Sequence, residues 1–145
     1  MTRVERALSM FEEGFLCSQT MLPTYGEQFG LDRDTALKIS TAFGGGVCPM
    51  GETRGAVVGA LMVIGMKHGN VEPKDKNSNR RTYELGSILV RRFGDRNGTI
   101  KCSRLLGCDI STRQGLHVAR EKKLFRTVCP KYVRDAAGIV ETILK

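Results

Sequence analysis

Five cysteines are the residues of this 145-residue sequence with the clearest capacity for chemistry. A cysteine can serve as a nucleophilic thiolate, a metal ligand or half of a disulfide. The sequence has no Cys-x-x-Cys pair, which excludes thioredoxin-like and zinc-ribbon motifs, and no Cys-x-x-Cys-His motif for covalent haem attachment. If the cysteines cooperate, the fold must therefore bring them together. They are Cys17, Cys48, Cys102, Cys108 and Cys129.

Three of these cysteines lie where helices are predicted to begin, namely Cys17, Cys102 and Cys129. The amides and dipole at a helix N-terminus favour a thiolate, which lowers the pKa of a thiol and raises its reactivity and its affinity for metals. These three are the candidate catalytic residues. The alternative interpretation is that they are packing residues, because cysteine also behaves as a small, buried hydrophobe.

The stretch from Phe43 to Gly51 is rich in glycine and permits backbone conformations that other residues rarely adopt. Such a loop is a place where a site could be built. Its glycine spacing is that of a phosphate-binding loop, but Glu52 occupies the position of the required lysine and would repel phosphate. No strand precedes it either, so nucleotide binding is not expected.

The elements that must position the cysteines are predicted to be helices, because the apolar residues recur with a period near 3.6 and no alternating run of strand length occurs. We expect an all-α, single-domain bundle of about six helices over residues 1–145. A capping box of Thr2 and Glu5 starts the first helix, and Asp32 caps the third. The predicted helices cover residues 3–13, 17–29, 33–43, 56–67, 80–93 and 129–143, with a short one at 102–106.

Several details of these helices are also predicted. Pro23 requires the second helix to start late or to kink. Thr53 is expected to cap the apolar helix 56–67, which has apolar residues on nearly every side and is therefore the central buried helix. Gly94 to Gly98 is expected to form a turn after the basic helix.

Charge and composition limit the partners and the location of the protein. The net charge is +8, divided into −1 for residues 1–70 and +9 for residues 71–145, so an acidic partner would be drawn to the second half. No aromatic-interleaved basic motif supports nucleic-acid binding. The longest apolar stretch is about half of the roughly 20 residues that span a bilayer, and charged residues interrupt the N-terminal segment. We expect a cytoplasmic protein with no membrane partner.

Six short segments, read in order, resemble the motifs of the redox-active C_GCAxxG_C_C protein family. Each segment is weak evidence alone, but together they run over nearly the whole chain in the family's order. They are Glu13-Gly14 with Cys17-Ser18-Gln19, Phe43-Gly44-Gly45-Gly46, Met50-Gly51-Glu52-Thr53, Gly55-Ala56-Val57-Val58-Gly59-Ala60, Cys102-Ser103-Arg104-Leu105-Leu106 and Cys129-Pro130-Lys131-Tyr132-Val133.

The resemblance implies four cysteines that act together and a Cys-Gly-Ala-x-x-Gly motif. A similar domain occurs in split-Soret cytochromes, where an iron–sulfur cluster on these cysteines has been considered. Here Cys17, Cys102 and Cys129 match three of the four cysteines, and Arg54 occupies the position of the fourth. Cys108 has no family counterpart and is expected to stand apart from the site.

Two arrangements could compensate for the missing cysteine. Cys48 could move into the vacant position, which would give a metal site of Cys17, Cys48, Cys102 and Cys129. Alternatively, Arg54 could convert a metal cage into a cationic pocket that holds thiolates or an anion. The candidate cofactor-binding residues are Gly45, Gly46, Arg54, Gly55 and Gly59.

We therefore expect a cysteine-based redox protein that works by thiol–disulfide exchange or holds an iron–sulfur cluster or another thiolate-bound metal. The resemblance and the apolar content favour a homodimer, and a redox partner protein is expected. The rival hypothesis is a non-catalytic interaction module with a basic second half and structural cysteines. No general acid–base pair identifies an enzymatic reaction.

Overall fold

The computed structural model describes residues 1–145, which form α-helices and no β-sheet. The predicted all-α fold is confirmed. Seven helices have eight residues or more and two segments are shorter, so the expected number of about six is roughly right. They are α1 (Arg3–Glu13), α2 (Ser18–Gly26), α3 (Arg33–Ser40), α4 (Gly55–His68), α5 (Lys76–Asn97), α6 (Cys102–Leu106), α7 (Arg113–Glu121), α8 (Leu124–Thr127) and α9 (Cys129–Leu144), with single 3-10 turns at Glu27–Phe29 and Thr41–Phe43.

Local sequence signals set the ends of the N-terminal helices as predicted. The Thr2 hydroxyl accepts a hydrogen bond from the Glu5 amide at 3.1 Å, and the Glu5 carboxylate accepts one from the Thr2 amide at 2.8 Å. Asp32 accepts a hydrogen bond from the Thr35 amide at the start of α3. Gly14 ends α1 with a φ of 113°, a conformation that glycine adopts readily.

Other helix boundaries differ from the prediction. Helix α2 begins at Ser18 and contains Pro23, so it does not start late. Helix α5 continues through the expected turn to Asn97, and only Gly98 ends it. Helices α7 and α8 lie in a region for which no helix is predicted, although the residues of α7 are amphipathic at the helical period.

Helix α4 is the central element, as its composition predicts. It packs against α2, α5 and α9, and α1 covers α2 and α9. The main core unites the inner faces of these helices, and a smaller cluster lies under α6 and α7. None of the helices combines the length and the apolarity needed to cross a membrane. The smaller cluster consists of Cys102, Leu106, Ile110, Ala119 and Cys129.

Backbone hydrogen bonds tie the segment before α4 to the segment before α6. Thr53 and Lys101 form an isolated antiparallel β-bridge, the Arg54 amide donates to the carbonyl of Ile100 at 2.7 Å, and the Cys102 amide donates to the carbonyl of Glu52 at 2.6 Å. The residue at the N-cap of α4 is consequently Arg54 and not Thr53. This pairing brings position 54 beside Cys102, 48 residues later in the sequence.

Candidate functional site

The three cysteines predicted to be reactive all lie at the starts of helices. Cys17 is the N-cap residue of α2, Cys102 is the first residue of α6, and Cys129 is the first residue of α9. Arg54 is the N-cap residue of α4. The exposed fractions are 7% for Cys17, 0% for Cys102 and 1% for Cys129, so the site is buried and has only slight contact with solvent.

The Arg54 side chain links two of these thiols. Its Nη1 atom donates a hydrogen bond to the Sγ atom of Cys129 at 3.0 Å and lies 3.9 Å from the Sγ atom of Cys17. The two sulfur atoms are therefore no farther apart than the sum of these distances. The Cζ atom of Arg54 also lies 4.8 Å from the centre of the Tyr132 ring, within the range of a cation–π interaction.

Burial makes the charge of Arg54 the dominant electrostatic feature of the site. The residue is only 1% exposed and pairs with no carboxylate. Removing a charge from water costs several kcal/mol unless other groups compensate. Burial lowers the pKa of Arg54, but negative charge on Cys17, Cys129 and Cys102 outweighs that effect, and the net pKa is raised. The guanidinium therefore stays protonated and favours an anionic sulfur beside it.

Burial and the Arg54 cation shift the pKa values of the thiols in opposite directions. Burial raises the pKa of Cys102 from 9.0 to about 11, although the charge of Arg54 opposes the increase. Burial also raises the pKa of Cys129, and both the charge and the hydrogen bond of Arg54 oppose it. The expected lowering at helix N-termini is thus outweighed by burial. Among the site thiols, Cys129 receives the most direct stabilisation of its thiolate.

The predicted glycines allow the elements of the site to approach one another closely. A Cβ atom on Gly46 would lie 2.7 Å from the Cβ atom of Cys102, and one on Gly55 would lie 2.9 Å from the Sγ atom of Cys17. Gly59 allows α4 to pack on α2, and Gly45 (φ 70°) helps the loop to fold back on itself. These contacts explain why the elements pack closely. A role for the glycines in holding a cofactor stays a prediction.

Cys48 lies outside this buried group. It is exposed on the glycine-rich loop, where it adopts a left-handed φ of 48°. The space beside Cys17 and Cys129 is occupied by the Arg54 guanidinium, so Cys48 does not fill the vacant family position. No group of three or more His, Cys, Asp or Glu side chains is arranged to hold a metal ion. A protonated guanidinium hydrogen-bonded to a thiol does not fit a bound metal cation, which would repel it.

Cys108 lies closer to the site than the sequence predicts. It is half-buried and packs against the smaller hydrophobic cluster, which includes Cys102 and Cys129. Its charge contributes to the raised pKa of Cys102. The sequence gives little indication of this proximity, because the turn after α6 that directs Cys108 inward depends on a backbone hydrogen bond from its amide to the carbonyl of Ser103.

Tyr132 is a site residue that the sequence reasoning missed. Its ring packs against the guanidinium of Arg54, and its hydroxyl donates a hydrogen bond to the carbonyl of Leu105 at 3.2 Å. The available signal is its spacing from Cys129, since residues three apart on a helix lie on the same side. The guanidinium thus lies over the face of the Tyr132 ring while its Nη1 atom contacts the thiols.

Comparison with known protein families shows which family the chain belongs to. A family model described as "Putative redox-active protein (C_GCAxxG_C_C)" matches residues 15–143. No match was found among curated proteins or among solved structures. The matched range contains all five cysteines and Arg54. Because the match extends over most of its length, the chain belongs to the C_GCAxxG_C_C family.

Proposed function

We propose that the protein is a thiol-based redox protein that cycles between a dithiol and a disulfide of Cys17 and Cys129. The observation that carries this proposal is the position of the Arg54 Nη1 atom, 3.0 Å from one sulfur and 3.9 Å from the other. A shared cation keeps both sulfur atoms in one small volume. It also stabilises whichever of them carries negative charge.

The reductive half of the cycle uses a redox partner protein with two thiols. Cys17 is the most exposed of the three site thiols, so the partner thiolate attacks its sulfur. The bond between Cys17 and Cys129 breaks, a mixed disulfide forms at Cys17, and Cys129 leaves as a thiolate. A leaving thiolate of lower pKa departs faster, and the charge and hydrogen bond of Arg54 offset part of the increase in pKa that burial causes at Cys129.

The second step releases the partner. The second thiol of the partner loses a proton and attacks the partner's sulfur atom in the mixed disulfide. The bond from that sulfur to Cys17 breaks, and Cys17 leaves as a thiolate that takes up the proton. The partner is oxidised from two thiols to a disulfide, and the Cys17–Cys129 disulfide is reduced by the same two electrons. The reverse sequence oxidises this protein.

The alternative within the family, an iron–sulfur cluster or another thiolate-bound metal, is less consistent with the residues present. Three thiols and a protonated guanidinium form the site, and Cys48, the donor needed to complete a set of four, is exposed on the loop. We therefore assign the redox chemistry to sulfur and not to a metal.

The test is to map the disulfide after oxidation. The reduced protein is treated with oxidised dithiothreitol, the remaining thiols are alkylated, and the cross-linked peptides are identified by mass spectrometry. We expect a bond between Cys17 and Cys129 that forms reversibly. Cys48→Ser is the matched control and should leave this bond unchanged, whereas Cys17→Ser and Cys129→Ser should abolish it. A stable disulfide confined to Cys48, or none at all, would contradict the proposal.

A further inference from the structure

The redox partner in the proposed cycle must reach the sulfur of Cys17, which lies beside the start of the glycine-rich loop. A Cβ atom on Gly55 would lie 2.9 Å from the Cys17 Sγ atom and 3.0 Å from the carbonyl oxygen of Phe43. The sulfur and this carbonyl are therefore neighbours. Cys17 is 7% exposed, whereas Arg54 and Cys129 are each 1% exposed, so a partner approaches the site from the side of Cys17.

The two chain segments next to this sulfur carry no charge. Residues 14–26 and 39–51 contain no Lys, Arg, Asp or Glu, although 26% of the residues in the chain are charged. The exposed cation Arg33 contacts the first segment, where its Cζ atom lies 5.4 Å from the centre of the Phe15 ring. A partner that approaches Cys17 thus meets a largely uncharged surface on a protein with a net charge of +8.

Exposed apolar side chains lie on this surface. Leu16 is 42% exposed, Met50 is 58% exposed, and Pro49 is also exposed. Leu16 packs over Gly44, because a Cβ atom there would lie 2.8 Å from the Leu16 Cδ1 atom. Pro49 packs over Gly45, where an added Cβ atom would lie 2.8 Å from the Pro49 Cα atom. Leu16 and Pro49 therefore contact the same short stretch of backbone, and we call Leu16, Pro49 and Met50 the apolar rim.

Hydrogen bonds hold the backbone of Leu16 in place. Its amide donates to the Gln19 Oε1 atom at 3.0 Å. The Gln19 Nε2 atom in turn donates to the Leu37 carbonyl at 3.2 Å and to the Thr41 hydroxyl at 3.1 Å. This part of the apolar rim is thereby fixed to α3 and to the turn that follows it. A surface that is ordered before binding loses less conformational entropy when a partner docks.

From this arrangement we infer that the apolar rim is the docking surface for the redox partner, a dithiol protein whose reactive cysteine lies in an apolar, uncharged surface. The inference rests on the proposed function and adds the place at which the partner binds. Apolar surfaces associate without charge pairs, because their burial releases water. A stable interface has about 20–30 residues a side, which exceeds this small surface, whereas transient redox encounters bury less area.

The test compares a protein reductant with a small one. The Cys17–Cys129 disulfide is formed with oxidised dithiothreitol, and the protein is then mixed with an excess of reduced thioredoxin or of reduced dithiothreitol. Freed thiols are alkylated over time and quantified by mass spectrometry. Thioredoxin is the probe because it carries two thiols and must dock, whereas dithiothreitol needs no docking surface. At equal concentration, thioredoxin should reduce the disulfide at least about 10-fold faster.

Substitutions in the apolar rim should affect only the protein reductant. Leu16→Glu and Met50→Glu each place a charge where the partner would exclude water, so reduction by thioredoxin should be at least about 5-fold slower. Reduction by dithiothreitol should change by less than about 2-fold, which shows that the site itself is intact. Leu16→Met keeps the surface apolar and should match the parent with both reductants.

Met66→Glu is the matched control for the added charge. Met66 is 37% exposed, a fraction similar to that of Leu16, but it lies near the other end of α4. At a rise of 1.5 Å per residue this position is about 16 Å from Gly55, which contacts Cys17. Met66→Glu should therefore leave the rates with both reductants unchanged.

The outcomes distinguish this inference from the proposed function. The inference is wrong if thioredoxin is no faster than dithiothreitol, if Leu16→Glu slows both reductants equally, or if Met66→Glu slows thioredoxin as much as Leu16→Glu does. It is also wrong if size-exclusion chromatography shows a dimer that Leu16→Glu dissociates, because the apolar rim then binds a second copy of the chain. These results leave the proposed function intact, since each begins with a disulfide that has formed. Failure to form the Cys17–Cys129 disulfide would overturn both.

Discussion

The Nη1 atom of Arg54 lies 3.0 Å from the Sγ atom of Cys129, inside a core where both residues are 1% exposed. This contact places a permanent positive charge where the family motif has a cysteine. The charge is not paired with a carboxylate, so thiols are the groups available to balance it. The charge balance of the site therefore depends on Arg54.

Replacing Arg54 with methionine should raise the pKa of Cys129. Methionine is unbranched and apolar, so it fills much of the same space without the charge or the hydrogen bond. The pKa of Cys129 is already raised by burial and is lowered only by Arg54, so removal of Arg54 can move it only upward. Alkylation of Cys129 should be slower at neutral pH, with its midpoint shifted to higher pH. An unchanged midpoint would show that Arg54 does not stabilise the thiolate.

Replacing Arg54 with cysteine should create a metal-binding protein. The change removes the cation and supplies a fourth thiol beside Cys17, Cys102 and Cys129, a set of donors that suits zinc or an iron–sulfur cluster. Metal content and absorption spectra after anaerobic purification measure the effect. Arg54→Ser has nearly the same size without the thiol and should bind no more metal than the parent. Equal metal content in the cysteine and serine variants would exclude this position as a ligand site.

Stability should fall as the pH rises through the alkaline range. Burial holds the pKa of Cys102 at about 11 in the folded protein, compared with 9.0 as its ordinary value. The folded state therefore binds more protons than the unfolded state between these values. The resulting stabilisation is complete below pH 9 and is lost toward pH 11, with a slope of at most about 1.4 kcal/mol per pH unit from one proton.

Chemical denaturation at several pH values measures this loss. Cys102→Ala should show a smaller decrease in the free energy of unfolding across the same range, whereas Cys48→Ala should show the same decrease as the parent. If Cys102→Ala and the parent lose stability equally, the buried thiol is not the group responsible.

Replacing Gly55 with alanine should destabilise the protein by about 1–3 kcal/mol, which is typical of overpacking in a core. The added Cβ atom would lie 2.9 Å from the Sγ atom of Cys17 and 3.0 Å from the carbonyl oxygen of Phe43. Gly94→Ala in α5 is the matched control, because no atom lies within 4 Å of its added Cβ. That change should stabilise the helix by about 0.5–1 kcal/mol. Thermal or chemical denaturation of both variants tests these predictions. The two changes in the free energy of unfolding should have opposite signs.

Local chemistry in the sequence was enough to predict the fold class and the placement of Cys17, Cys102 and Cys129 at the starts of helices. The capping box at Thr2 and Glu5 and the cap at Asp32 involve residues three apart, so they form wherever the rest of the chain lies. The apolar stretch of α4 could be stable only at the centre of a bundle. The start of α9 at Cys129 followed from the proline after it, which is well suited to the first turn of a helix.

The site itself depended on contacts between distant parts of the chain. The β-bridge of Thr53 with Lys101 makes Arg54, and not Thr53, the N-cap residue of α4. The starts of α2 and α9 supply the two sulfur atoms near the guanidinium. Burial then raised the pKa of Cys102 and Cys129, although their positions at helix starts predicted the opposite. Hydrogen-bonding patterns and helical period act over a few residues and can be read along the chain. Burial and charge pairing depend on every element packed around a residue, so they emerge only when the chain is folded.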